Sequence, residues 1–133
     1  MPSAQPSVNC RRVTRSSTSR ACHRNLVVPL VGDFAGNQTL RRIGEYLKQH
    51  DAAVTVFYTS NVERYLYGSP RRPVEDWKRF YANLSALPLT DRSTFIRAGS
   101  SVDQSILGPI RAVVDEFARG GLKAFGDVLA TSK

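Results

Sequence analysis

The stretch that decides the fold is Asn25-Leu-Val-Val-Pro-Leu-Val-Gly-Asp-Phe-Ala-Gly36, together with Ala53-Val-Thr-Val-Phe-Tyr58. Each segment holds a short apolar run rich in β-branched residues, and a helical pattern separates the two runs. Two buried-type strands around one helix are typical of a βαβ unit with parallel strands. The sequence therefore predicts an α/β protein with a Rossmann-like, mostly parallel sheet of about three strands flanked by helices.

The remaining elements are predicted outward from this unit. The first strand, Leu26 to Val31, contains Pro29, which favours a position near a sheet edge or a local kink. Asn37 is a good N-cap for the first helix, which should run to about His50. Later patterns predict a short helix after a Ser60–Glu63 capping box, and then a helix from Pro73 to before Pro88 with Trp77 as a core anchor. They also predict a third strand at Ser93–Arg97 and a loop at Gly99–Ser105. The last predicted elements are a helix opened by Pro109 and a short element within Leu122–Leu129.

Composition narrows the classes of function. The chain has 133 residues, enough for one domain with a modest core, and no apolar run approaches the roughly 20 residues that span a bilayer. The net charge of +8 is concentrated in residues 1–32, which hold five arginines and no acidic residue. Because the rest is only mildly basic, nucleic-acid binding is not expected. We expect a cytoplasmic protein that does not bind a membrane.

The first 24 residues are rich in Ser, Thr, Arg and Pro and show no apolar periodicity. This composition predicts a disordered leader in front of one α/β domain at residues 25–133. An organelle transit peptide has a similar composition, and we favour an unstructured extension over it. Cys10, Cys22 and His23 lack the paired spacing of a zinc site, so no metal site is predicted.

Three loops follow the predicted strands. They contain Gly32-Asp-Phe-Ala-Gly36, Thr59-Ser-Asn-Val-Glu63 and Arg97-Ala-Gly99. Because ligands of open parallel α/β sheets bind beyond the carboxyl ends of the strands, these loops form the candidate site.

Most residues of these loops have two interpretations. Gly32 and Gly36 could let the backbone approach a bound cofactor, but a tight β–α turn requires glycine as well. The spacing matches neither GxGxxG nor a P-loop. Asp33 could accept hydrogen bonds from a ligand or stabilise its own turn. Arg97 could bind a carboxylate or phosphate, or form an ion pair.

A nucleophilic mechanism has little support in the sequence. Ser60 is better explained as a helix cap, because no Gly-x-Ser-x-Gly elbow surrounds it. His23 lies in the leader and His50 at a helix end, so a Ser-His-Asp triad has no suitable base. The catalytic residues, if there are any, stay unknown.

Five segments resemble the C-terminal half of a largely uncharacterised bacterial family. Members of that family look like class I S-adenosylmethionine-dependent methyltransferases in fold. The resemblance spans about residues 25–130, through Asn25–Gly36, Val56–Glu63, Trp77–Leu87, Asp91–Arg97 and Pro109–Leu129.

The resemblance implies a truncated homologue, because the glycine-rich half that holds S-adenosylmethionine in such folds is missing here. It also implies an acceptor side lined by Asp33, Phe34, Asn61 and Arg97, with Tyr58 and Thr59 beneath. Gly32, Gly36 and Thr59 are the candidate cofactor-binding residues. A missing half-sheet would leave an exposed edge.

Three functions are therefore open. The first is methyl transfer from S-adenosylmethionine to an unknown small molecule. The second is a non-catalytic α/β interaction module, for example a homodimer formed through the exposed sheet edge. The third is a nucleotide- or phosphate-binding module, in which Arg97 would be required.

Overall fold

The computed structural model of the chain describes residues 27–68, 75–99 and 104–132. The chain divides into two units, residues 1–32 and residues 33–133. In the second unit the described elements are, in chain order, α1 (Thr39–Gln49), β1 (Val54–Ser60), α2 (Val62–Gly68), α3 (Glu75–Leu84), β2 (Leu89–Ala98), β3 (Ser105–Pro109), α4 (Ile110–Ala118) and α5 (Phe125–Ala130).

The three strands form one sheet in the order β1-β2-β3. β1 and β2 are parallel, with Phe57 opposite Phe95. β2 and β3 are antiparallel, with Phe95 opposite Gly108. The predicted class, an α/β fold with a three-stranded sheet flanked by helices, is confirmed. The sheet is not mostly parallel as predicted, because it has one parallel and one antiparallel pair. Among the described strands, β1 and β3 are its edges.

One face of the sheet packs against helices. The Phe57 and Phe95 rings lie 5.7 Å apart on this face, and the Phe57 ring lies 6.3 Å from that of Phe80 in α3. Phe80 and Phe95 are fully buried. Because side chains alternate along a strand, the neighbouring residues point the other way. Among the described residues, the side of the sheet that carries Phe57 and Phe95 is therefore the buried one.

A second aromatic cluster joins the helices to each other. Tyr67 of α2 stacks on Trp77 of α3 with ring centroids 4.8 Å apart. Trp77 also meets Phe117 of α4 edge-on at 6.4 Å, and Tyr67 contacts Phe125 of α5 at 6.1 Å. The prediction that Trp77 anchors the core is confirmed, because its ring packs against the buried cluster.

Helix α1 packs through a face that includes Leu40 and Gly44, both buried. A Cβ at Gly44 would lie 3.0 Å from the carbonyl oxygen of Ala86, so glycine allows this close approach. The helix begins after Gln38, which makes no side-chain capping bond. The predicted N-cap at Asn37 is therefore wrong by one residue.

The predicted first strand, Leu26–Val31, is wrong for the residues that the structure describes. Val27 to Val31 form no regular secondary structure, and the side chains of Val28, Leu30 and Val31 are more than half exposed. Apolar content alone does not make a strand, because a strand needs a neighbour for its backbone groups, and Pro29 removes one donor.

Strand β3 was not predicted, since its sequence Ser-Ile-Leu-Gly-Pro ends in two residues that usually interrupt strands. Pro109 is tolerated because β3 is an edge strand. The predicted loop at Gly99–Ser105 overlaps the strand only at Ser105. The predicted leader at residues 1–24 and the first turn of the helix at Pro73 lie outside the described residues.

Candidate functional site

The carboxyl ends of β1 and β2 meet, as expected for a parallel pair. Tyr58 lies opposite Ile96, and Ser60 opposite Arg97. Thr59 and Arg97 both point to the helix side, where each is 1% exposed. This end of the sheet therefore holds buried polar side chains, as the position of the predicted site requires.

Glu63 and Arg97 form a buried ion pair at this place. The Arg97 Nε atom donates to Glu63 Oε2 at 2.5 Å, and Nη2 donates to Oε1 at 3.3 Å. Both side chains are at most 2% exposed. A bidentate guanidinium–carboxylate pair neutralises both charges and fixes the orientation of both groups.

Neighbouring groups occupy the remaining positions around this pair. Tyr81 donates to Glu63 Oε1 at 2.7 Å, and Thr59 Oγ1 lies 3.3 Å from Oε2. Arg97 Nη1 donates to Ser132 Oγ at 3.2 Å, and its guanidinium lies 4.0 Å from the centre of the Phe95 ring. The pair is thus enclosed by protein, and neither charge is presented to solvent.

Two tyrosines border the ion pair. Burial raises the pKa of Tyr81 well above its usual range, and the nearby Glu63 carboxylate raises the pKa further. Burial likewise raises the pKa of Tyr67. Among the described residues, the Tyr67 hydroxyl is the buried side-chain group without a hydrogen-bond partner. Both phenols stay protonated at neutral pH, so neither serves as a base there.

The predicted ligand loop before α1 is a turn held by hydrogen bonds. The Asp33 carboxylate accepts a hydrogen bond from the Ala35 amide at 3.0 Å, and the Gly36 amide donates to the Asp33 carbonyl at 3.1 Å. The side chain of Asn83 in α3 donates to the carbonyl oxygens of Phe34 and Gly36 at 3.2 and 2.8 Å. These bonds support the turn-stabilising interpretation of Asp33.

The other predicted site residues are dispersed. The Phe34 ring lies 6.0 Å from Phe57, so it belongs to the core side. Asn61 is exposed at the start of α2, and Tyr58 is exposed on the opposite face from Thr59. Gly32 belongs to the first unit. Of the predicted set, the structure brings together Thr59 and Arg97.

Two polar residues with buried partners, Glu63 and Asn83, do not stand out in the sequence as parts of a site. Glu63 was assigned to a capping box, yet its carboxylate pairs with Arg97. Asn83 was not singled out, although it lies between Phe80 and Leu84 on a buried stretch of α3. A polar residue among buried neighbours was the available signal, because such a residue needs a defined partner.

Within the described part of the chain, the face of the sheet that points away from the helices is apolar and exposed. Val56, Tyr58 and Leu107 are 54%, 66% and 59% exposed. Register places Tyr58 beside Ile96, and Ile96 beside Leu107, so these side chains are contiguous across three strands. We call Val56, Tyr58, Ile96 and Leu107 the open face.

β1 is also an unguarded edge in the part of the chain that the structure describes. Its seven residues, Val-Thr-Val-Phe-Tyr-Thr-Ser, contain no charge, glycine or proline. Natural edge strands usually carry such residues to block pairing with another strand. The other edge, β3, is shorter and carries Gly108 and Pro109. β1 is therefore the edge at which an additional strand fits best.

Comparison with protein families gives one assignment. The model of a family described as a domain of unknown function, DUF7790, matches residues 21–111. Comparisons with curated proteins and with solved structures found no match. The match is to a domain of unknown function and not to a methyltransferase family, so the methyltransferase resemblance is wrong.

Two further findings concern ligands and membranes. Within the described ranges, no group of three or more His, Cys, Asp or Glu side chains is arranged to hold a metal ion. In the same part of the chain, no helix combines the length and the apolarity needed to cross a bilayer.

Proposed function

We propose that this chain, which belongs to the DUF7790 family of domains of unknown function, is a non-catalytic protein-interaction module that docks a partner on the open side of its sheet. The observation that carries the proposal is the combination of an apolar open face with the uncharged edge of β1. A strand added to such an edge gains backbone hydrogen bonds, while pockets beside it select side chains.

The buried ion pair supports this choice over a ligand-binding enzyme. A phosphate or carboxylate ligand would have to displace Glu63 from Arg97, and that would leave a buried carboxylate unpaired. The nucleotide-binding alternative therefore lacks its main phosphate-binding residue, because Arg97 is already paired with Glu63. S-adenosylmethionine binding and methyl transfer rested on the methyltransferase resemblance, so they are not part of this proposal.

The proposed module needs a cellular location and a protein partner. We place the module in the cytoplasm, as expected from its composition and its two cysteines. Self-association through the sheet edge is one form of this function.

Photocrosslinking in cells that produce the chain tests the module. A photoreactive phenylalanine analogue replaces Tyr58, which is 66% exposed on the open face, or Tyr65, which is 63% exposed on α2. The matched exposure separates docking from accidental contact. We expect discrete crosslinked species from position 58, mapped by mass spectrometry to a defined segment of one protein. The proposal fails if positions 58 and 65 give the same products.

A further inference from the structure

We propose that the partner docked on β1 is a second copy of this chain, paired through its own β1 in antiparallel orientation about a two-fold axis. This inference rests on the proposed function, because it names the occupant of the same edge. A two-fold interface uses the same surface patch on both copies, so that patch has to complement itself.

Charge is the first argument for self-pairing. The net charge of +8 is concentrated in residues 1–32, and the rest of the chain is only mildly basic, so charge repulsion between two copies of the sheet domain is weak. β1 from Val54 to Ser60 has no charged side chain. Like charges directly opposite each other destabilise strand pairs, and this strand avoids that penalty when it meets its own copy.

The register of the pair follows from the strand itself. Phe57 is the central residue of Val54–Ser60, so an axis through Phe57 pairs all seven residues. Val56 of one copy then lies opposite Tyr58 of the other, and Tyr58 opposite Val56. Residues directly opposite each other lie on the same face, so both copies keep their helices on the same side. The result is one continuous six-stranded sheet.

The exposed side chains complement each other in this register. Val56 and Tyr58 are both more than half exposed in the single chain. Pairs of an aromatic and a β-branched residue are among the favourable cross-strand pairs of antiparallel sheets. The two-fold axis makes two such pairs on the open face. A seven-residue edge buries less surface than a standard interface, so we expect a dissociation constant on the order of micromolar.

Sedimentation equilibrium of the full chain, from low to high micromolar concentration, measures this dimer. We expect the apparent mass to rise from the monomer value of 14.7 kDa towards twice that value. The variant Val56→Lys/Tyr58→Lys sets lysine opposite lysine in both pairs and should be monomeric throughout. Its control, Tyr46→Lys/Tyr65→Lys, adds the same number of charges at exposed positions of α1 and α2 and should dimerise like the wild type.

A charge-reversal mixture tests the register. The variant Val56→Glu/Tyr58→Glu should also be monomeric alone. Mixed with the lysine variant, it should form a heterodimer, because each lysine then faces a glutamate. Circular dichroism establishes that both variants are folded. Failure of two folded variants to associate would overturn the proposed register and with it the inference.

Other outcomes separate this inference from the proposed function. A wild-type chain that stays monomeric at high micromolar concentration overturns self-pairing. If crosslinks from position 58 then identify a different protein, the interaction module stands with another partner. If β1 amides of the monomer exchange with solvent as slowly as those of the central strand β2, the edge is already covered within the chain, and both proposals fail.

Discussion

Arg97 and Glu63 are both among the largest fully buried side chains of the described chain. Taking two charges out of water costs free energy, and their mutual attraction offsets that cost only while both partners are present. The pair therefore contributes to stability only when both side chains are present. The pair fixes how α2 sits on the ends of β1 and β2, and a change to one partner exposes the whole desolvation cost of the other.

Glu63→Gln should lower the free energy of unfolding by about 3–5 kcal/mol, because it leaves the Arg97 charge buried without a counter-ion. Urea denaturation measures this loss. The control Glu75→Gln breaks an exposed ion pair with Lys78 and should cost about 0–1 kcal/mol. The double variant Glu63→Leu/Arg97→Met should be more stable than Glu63→Gln. Equal losses for Glu63→Gln and Glu75→Gln would contradict the role of the buried pair.

Tyr81 and Tyr67 predict a loss of stability at alkaline pH. Burial raises the pKa of both phenols, so the folded chain holds their protons more tightly than the unfolded chain. Their contribution is present below the ordinary tyrosine pKa of about 10 and is lost as the pH rises above it. Urea denaturation across this range should show a shallower decline in Tyr67→Phe/Tyr81→Phe. Tyr65→Phe, on an exposed side chain, should decline like the wild type.

For single residues, the sequence predicts the place in a strand or helix better than the interaction that the side chain makes. Arg97 was correctly placed at a strand end, because Phe95 and Ile96 define the strand. Its parity with Ser93 and Phe95 already aims it at the buried side, and a buried arginine needs a carboxylate. Its partner, Glu63, lies 34 positions away along the chain, and tertiary packing brings the two side chains together. Local patterns do not contain that contact, and for this reason Glu63 was assigned to a cap.

At the scale of elements, helix α5 depends on a carboxylate at its start. The Asp127 side chain accepts hydrogen bonds from the Lys123 and Ala124 amides, both at 2.8 Å. These two bonds hold the Asp127 pKa below its usual value. A lowered pKa means that the stabilisation is present at neutral pH and is lost as the pH falls through the folded-state pKa.

We therefore expect α5 to loosen in acid before the sheet does. Proton exchange of the α5 amides, followed by NMR as the pH falls, measures this order. In Asp127→Asn the α5 amides should exchange faster than in the wild type at neutral pH. Their protection should also fall less than that of the wild type when the pH is lowered, because the variant has no carboxylate to protonate. A wild-type α5 that keeps its protection while the sheet loses its own would refute this account.

Two helical glycines should respond differently to replacement by alanine. In α5, a Cβ at Gly126 meets nothing within 4 Å, so Gly126→Ala should stabilise by about 0.5–1 kcal/mol through helix propensity. In α1, a Cβ at Gly44 would lie 3.0 Å from a backbone oxygen. That contact should cancel the gain, and Gly44→Val should destabilise clearly. Thermal unfolding compares the three variants, and a stabilising Gly44→Val would show that α1 can shift.

Element prediction succeeded where periodicity was long. α1, α3 and α4 show helical spacing over two or more turns, and β1 and β2 are runs of β-branched and aromatic residues. It failed at Val27–Val31 and at β3 for a common reason. A short strand is stabilised by its neighbour, so a five-residue segment reveals its state only when its pairing is known.

At the scale of the whole sheet domain, the described helices cover one side of the sheet, and the described residues leave the open face exposed. Antiparallel sheets often have one solvated face, but that face is then usually polar. Here Val56, Tyr58 and Leu107 occupy it. The methyltransferase resemblance implied an exposed sheet edge through a missing half-sheet, but that resemblance is wrong, so the exposed face was not predicted. Which face would be uncovered depends on helix packing, and the local sequence does not contain that information.

The topology of the sheet also sets an order in time. β2 and β3 are joined by residues 99–104 alone, whereas both α2 and α3 lie between β1 and β2. A short connection closes sooner than a long one, so the hairpin should form first and β1 should add last. Pulse-labelled hydrogen exchange during refolding should protect β3 amides before β1 amides. Until that last step, an uncharged strand has both of its edges free. The interval before β1 docks, rather than the native state, is then the time at which this chain is most exposed to aggregation.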